Sequence, residues 1–374
     1  MSEEKLVPKL RFSGFDDEWI EEKLGNLVQI KSGECTKNLI TGIDNSIPYF
    51  KVEQLNNSLK YQIKTPYFIN DKSKIVNKGS IIFPKRGAAI LLNKIRILNQ
   101  DSFMDTNLMT LTPNNKLYNE FLYYFIYKEN LSKIADTTSI PQLNNKHIKP
   151  YPIKLPSFEE QLKISKFISS VDKKVALLSQ NLEIFNDFKK GLLQQIFTQK
   201  LRFNFTDDWN YMNFSEIFKS VSTKKYQIKS ADILDKGDFE VIDQGQDEIA
   251  GYFNDKTKLC QELPIIIYGD HTTFVKFRDK PFIVGADGVK LLIPKFNANP
   301  KYLFYALEHF NIKPEGYKRH FSIIKKIKLP IPTLEEQNEI SEIFTYIDIK
   351  LKYTKIQLQE TEEFKKGLLQ QMFV

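Results

Sequence analysis

Cysteine is nearly absent. The chain of 374 residues has 2 cysteines, Cys35 and Cys260, and 4 histidines. Two thiols cannot staple a fold of this size, which excludes a disulfide framework. His147, His271, His309 and His320 are scattered without metal-ligand spacing, so no metal site is expected. Long apolar runs are missing too. Stretches such as Leu263-Pro-Ile-Ile-Ile-Tyr268 fall far short of the roughly 18 residues a membrane span needs. The opening Met1-Ser-Glu-Glu-Lys5 is charged, unlike a secretory leader. A cytoplasmic protein without membrane contact is the expectation. There is no Walker-type phosphate loop, no glycine-rich dinucleotide fingerprint and no Asn/Asp-Pro-Pro-Tyr/Phe run. Gly269-Asp-His271 alone is too little for an acid–base centre. The expectation is therefore no cofactor, no catalytic residue and a role as reader and scaffold.

What is present is basic charge and repetition. Lys and Arg number 54 against 46 Asp and Glu, a net +8. The excess is +8 in residues 20–156 and +4 in residues 211–330, two separate regions. Such an excess suits phosphate contact, although Lys-rich solubility would give the same balance. Pro156-Ser-Phe-Glu-Glu-Gln161 recurs as Pro332-Thr-Leu-Glu-Glu-Gln337, and Phe188-Lys-Lys-Gly-Leu-Leu-Gln-Gln195 recurs unchanged as Phe364-Lys-Lys-Gly-Leu-Leu-Gln-Gln371, both at an offset of 176. Asp172 pairs with Asp348 at the same offset. Lys9-Leu-Arg-Phe12 before Trp19 returns as Lys200-Leu-Arg-Phe203 before Trp209. Each half reads as a short segment, a globular domain and a long helix.

Both helices open on a capping-box pattern after a proline, Ser157-Phe-Glu-Glu160 and Thr333-Leu-Glu-Glu336. Ile164, Ile168, Val171, Val175, Leu178, Leu182, Phe185, Leu192 and Ile196 follow a heptad seam, interrupted at Lys189. The second copy runs Ile340, Phe344, Ile347, Leu351, Leu358, Leu368 and Met372. Helices of about 40 residues span about 60 Å, longer than most cores, so they are expected to pair with each other. The second globular domain joins the end of one helix to the start of the other by short links. Antiparallel pairing brings those junctions together, so a pseudo-twofold arrangement is predicted.

Within the globular domains, Ile81-Ile-Phe83 and Leu263–Tyr268 are expected strands ending in turns at Pro84–Gly87 and Gly269–Thr272. Ile283–Val289 reads as strand, turn and strand. Leu117–Leu131 reads as a helix, and Asn299-Pro300 caps another reaching about Phe310. Candidate DNA contacts are Lys85 and Arg86, then Thr138-Ser-Ile-Pro-Gln142 with Lys146 and His147. In the second half they are His271, Thr272, Lys276, Arg278, Lys318, Arg319 and His320. Arg reads guanine edges, Gln and Asn read adenine, and hydroxyls suit phosphate. Solvated turn residues are the competing reading. Phe50-Lys51 and Gln244-Gly245-Gln246 are weaker candidates, for which a structural turn is the favoured reading.

With these duplicated helix starts and ends around basic domains, the chain resembles the specificity subunits of Type I restriction–modification systems over nearly its whole length. The resemblance implies an α+β fold: two mixed α/β target-recognition domains separated by a pair of long antiparallel helices. The recognition domains would be residues 1–156 and 200–332, each reading half of an asymmetric double-stranded DNA site, with Lys85-Arg86, His271-Thr272 and Arg319-His320 in their DNA-facing loops. Helices 157–199 and 333–374 would be the spacer and the docking surface for two methyltransferase subunits, with restriction subunits joining to make the endonuclease. Helix-pairing or partner residues are expected at Gln161, Ile164, Ile168, Val171, Phe188, Lys189 and Leu192, and at Gln337, Ile340, Phe344, Phe364, Lys365 and Leu368. A Type II specificity subunit, a stand-alone nuclease and a coiled-coil adaptor without a DNA role are the alternatives.

Overall fold

The computed structural model describes residues 6–36, 39–41, 46–70, 75–136, 140–285, 287–316 and 318–374. The chain divides into two compact units, Met1–Leu178 with Gln357–Val374, and Ser179–Ile356. The division cuts across both long helices, Phe158–Phe197 and Leu334–Gln371. Each unit therefore owns the start of one helix and the end of the other.

In unit one the main sheet orders the strands Val28–Ser32, Leu108–Pro113, Ile81–Pro84, Arg96–Leu98 and Tyr61–Gln62. In unit two the order is Phe218–Val221, Val289–Pro294, Ile265–Gly269 and Val275–Arg278. The central strands Ile81–Pro84 and Ile265–Gly269 are buried throughout, as their unbroken apolar runs require. A smaller sheet with parallel pairing completes each unit: Tyr49 lies beside Phe103 in one, and both Gln227–Ile228 and Val241–Ile242 run parallel to Ile283–Gly285 in the other. Ile20–Lys23 pairs with Pro152–Leu155, and Asn210–Asn213 pairs with Lys328–Ile331. These ties deliver the chain to the start of each long helix. The helices Asn119–Glu129 and Pro300–His309 lie where the sequence puts them. Asn299 caps the latter by accepting the Lys301 and Tyr302 N–H groups at 2.9 and 3.1 Å.

The repeated motifs have defined work. Ser157 and Thr333 hydroxyls accept the Glu160 and Glu336 N–H groups, each at 3.3 Å, which is half of a capping box. The glutamates leave the reciprocal bond unmade. Glu160 is buried and takes two bonds of 2.8 Å from Arg11. Glu336 takes bonds of 3.1 and 2.7 Å from Arg202 and one of 2.9 Å from Trp209 Nε1. The Lys-Leu-Arg-Phe echo is thus a clamp on the helix start.

Within unit one, Ile164, Ile168 and Val171 share a core with Leu368, Leu369 and Met372. Asp172 meets Lys365 at 2.6 Å, while Leu10 N–H bonds the Gln371 carbonyl and Arg11 bonds Glu160. The two helix segments therefore run antiparallel. In unit two, Ile340, Phe344 and Ile347 share a core with Leu193 and Ile196. Lys189 meets Asp348 at 2.9 Å, while Leu201 N–H bonds Gln195 and Arg202 bonds Glu336. The same antiparallel arrangement results.

Candidate nucleic-acid interface

Separated candidates of unit one meet in one loop edge at the end of the central strand. Lys85, Arg86 and Gly87 leave the central strand and turn back beside Pro141 and Gln142. Gly87 N–H bonds the Pro141 carbonyl at 2.9 Å, Leu143 N–H bonds Lys85 at 2.9 Å, and Arg86 bridges Gln142. Gly87 holds φ at 85° here, a conformation that costs glycine little. Lys85 N–H bonds Asn107 at 2.8 Å, and Asp105 N–H bonds Phe50 at 3.0 Å, adding two more loops to the edge. Burial, then the neighbouring Arg86 charge, lowers the Lys85 pKa. Arg86 itself is exposed, with no ion pair among the described residues. Thr138 and Ser139 lie outside the described residues. Lys146 is exposed, whereas His147 Nδ1 accepts the Asn144 N–H at 3.2 Å and so caps its own short helix.

Unit two builds the same edge from other residues. Asp270 N–H bonds Gly288 at 2.7 Å, as Lys85 bonds Asn107, and His320 N–H bonds Asp270 at 2.7 Å, as Leu143 bonds Lys85. His271 N–H donates to Gln244 Oε1 at 3.0 Å, and the Thr272 hydroxyl donates to the Gln244 carbonyl. Arg319 is exposed, and Lys318 pairs with Glu315.

Three candidates of unit two turn inward. His320 is fully buried: its Nε2 accepts the Glu315 N–H at 3.0 Å and its Nδ1 meets the Asp270 carbonyl at 3.1 Å. Lys276 Nζ donates to the carbonyls of Asp243 and Asp247 at 3.0 and 2.6 Å. Arg278 donates to the Glu248 carbonyl at 2.6 Å and its carboxylate at 3.2 Å. Burial, offset in part by Asp243, lowers the Lys276 pKa. The strand Val275–Arg278 explains this placement, because alternation puts Lys276 and Arg278 on one face.

The helix candidates also sort by geometry. Gln161 and Gln337 are buried and serve their own units. Gln161 accepts Tyr118 N–H at 2.8 Å and donates to Lys116 and Pro156 at 3.0 and 3.2 Å. Gln337 accepts Asn299 N–H and donates to Pro332, both at 2.9 Å. Ile164, Ile168, Val171, Ile340, Phe344 and Leu368 are buried, and Leu192 is half-buried. Phe188 and Phe364 stand outside their cores, 56% and 54% exposed. Lys189 bridges Glu308 at 3.1 Å and Asp348 at 2.9 Å. Burial opposes its charge, but the two carboxylates outweigh it and raise its pKa. One ammonium is shared by both, so burial still raises the Glu308 carboxyl.

Among the described residues no group of three His, Cys, Asp or Glu side chains could hold a metal, and no helix is long and apolar enough to cross a membrane. The Type I restriction modification DNA specificity domain model matches residues 16–184 and again 206–363. The Type I restriction enzyme MjaVIII specificity subunit of Methanocaldococcus jannaschii is 22% identical, with 94% of this chain and 91% of that protein covered. The Type-I restriction-modification system S subunit from M. genitalium has a crystal structure similar to this one, with a TM-score of 0.70 at 19% identity over 98% of this chain and 99% of that chain. A structure described under complex assembly and conformational transition of the type I R-M system gives a TM-score of 0.52 at 14% identity, over 96% and 98% of the two chains. Two matched domains, each with the same loop edge and the same clamped helix start, place this chain in the Type I restriction modification DNA specificity family.

Proposed function

We propose that the protein is the non-catalytic DNA reader of a Type I restriction–modification complex. Each loop edge reads one half of a bipartite, asymmetric duplex site. Phosphate contacts hold the protein on DNA, and base-edge contacts choose the sequence. The long helices carry the surface on which methyltransferase subunits dock, and restriction subunits join that assembly. The observation that supports this most is the pair of loop edges. They share one backbone plan, yet offer Lys85, Arg86 and Gln142 in one unit and His271, Thr272, Lys318 and Arg319 in the other. One plan with two chemistries suits two different half-sites. The test is selection from a pool of randomised DNA duplexes by the full chain with its methyltransferase subunits. Two separated sequence blocks are expected; a single block, or no enrichment, refutes the reading.

A further inference from the structure

Lys276 and Arg278 are largely covered cations aimed at backbone. Their side chains are 9% and 11% exposed, and they grip the ends of the loop 243–248 through the carbonyls of Asp243, Asp247 and Glu248. Burying a charge is costly unless it is paired and hydrogen-bonded. Here the cost is met by ordering an exposed loop, Asp243-Gln-Gly-Gln-Asp-Glu248. Asp243 Oδ1 accepts the Gly245 N–H at 2.8 Å, which tightens the turn further. The loop also holds the reading edge, since Gln244 accepts from both His271 and Thr272. Gln246 is left at the tip, exposed and without a hydrogen-bond partner among the described residues.

Unit one repeats the device. Pro84 faces Leu108 and Gly269 faces Val289, just before the equivalent bonds from Lys85 and Asp270. Counting back, Ile82 matches Ile267. Across the next pair of strands Ile82 faces Arg96 and Ile267 faces Lys276. Arg96, at the same register position, donates at 2.7 Å to the carbonyl of Leu55, inside the segment that follows Phe50-Lys51. Two units with unrelated loops thus use a cation at one strand position to fasten one loop.

We propose that the loop 243–248 is a base-reading loop of unit two, with Gln246 as its specificity-determining residue and Lys276 as the positioning residue that fixes it. The carboxamide suits an adenine edge, which offers one acceptor and one donor in the major groove. Arg278 pairs with Glu248 and Glu240, and Lys276 with Asp243, so the acidic loop does not repel phosphate with its full charge.

This inference rests on the DNA-reading function proposed above. Its test uses the full chain with its methyltransferase subunits, a pool of randomised duplexes and the salt dependence of binding. Gln246→Ala should lose about tenfold preference for adenine at one position, with the slope of log affinity against log salt unchanged. Lys276→Met should blur that same position, again without changing the slope, whereas loss of a phosphate contact would lower it by about one unit. If the wild-type protein selects a two-block site and Gln246→Ala selects the same site unaltered, the loop is not a reader and only this inference falls. If Lys276→Met keeps the site but lowers the slope, Lys276 is a phosphate contact and its positioning role is overturned. If the wild-type protein enriches nothing, both readings fall.

Discussion

Replacing Lys189 by Met removes one ammonium and leaves two carboxylates facing each other in unit two. Lys189 is 13% exposed and lies 3.1 Å from Glu308 and 2.9 Å from Asp348. Breaking a fully buried pair costs about 3–5 kcal/mol. Here Glu308 and Asp348 are 37% and 36% exposed, and solvent-exposed pairs contribute under about 1 kcal/mol. Asp348 also keeps the Tyr305 hydroxyl at 2.7 Å. Between those limits the expected loss is about 2 kcal/mol. In a unit of this size that lowers the melting midpoint by roughly 4–8 °C.

The assay is thermal unfolding of the full chain, with Asp348→Asn and the double variant completing a cycle. A coupling of about 1 kcal/mol or more is expected. A Lys189→Met protein that melts with the wild type would refute a stabilising role for the bridge from Lys189 to Glu308 and Asp348. If that protein also failed to capture the methyltransferase subunit, the lysine would be a docking residue instead.

Arg202→Ala should be more damaging. It strips a bidentate partner from Glu336, which is 1% exposed. A loss of about 3 kcal/mol, read by chemical denaturation, is expected, softened by the Trp209 bond that remains. Under the proposed function Arg86→Ala and Arg319→Ala test DNA contact. Each should weaken binding and flatten the salt slope by up to about one unit. Each should also affect a single half-site in a duplex-binding assay, and equal loss at both half-sites would contradict the division of labour.

The repeats, caps and buried strands could be read from sequence because each is a local signal. A proline before Ser157, the apolar run at Ile81 and Asn299-Pro300 act within a few residues. Partners across the chain could not. Glu160 finds Arg11 at a separation of 149 residues, and Glu336 finds Arg202 at 134. From the sequence the glutamates therefore read as capping-box residues, without their arginine partners. Lys276 reads as a DNA-contact candidate because composition does not distinguish a charge in water from one bonded to carbonyls. A signal was available, however. Val275-Lys-Phe-Arg278 alternates with period two, which places both cations on one strand face rather than in a loop. His320 carried no such cue, since its burial depends on Asp270, 50 residues away.

The identical octapeptides allow each residue to be sorted by what its own unit does with it. Lys189 and Lys365 pair with Asp348 and Asp172, and Leu193 and Leu369 are buried, so the fold accounts for them. It does not account for Phe188 and Phe364, both exposed, nor for Gly191 and Gly367. A Cβ at either glycine would meet nothing within 4 Å. Glycine inside a helix costs up to about 1 kcal/mol relative to alanine, and neither unit gains packing in return. A glycine kept twice beside an exposed phenylalanine kept twice suits close approach by one kind of partner at two places, as methyltransferase docking under the proposed function requires. Gly191→Ala with Gly367→Ala should then raise stability by about 1 kcal/mol or slightly more while weakening capture of the methyltransferase subunit. Phe188→Ala with Phe364→Ala should weaken capture with stability unchanged to about 0.5 kcal/mol. Capture that survives both pairs of substitutions would leave these four positions without a partner and move the docking surface elsewhere on the helices.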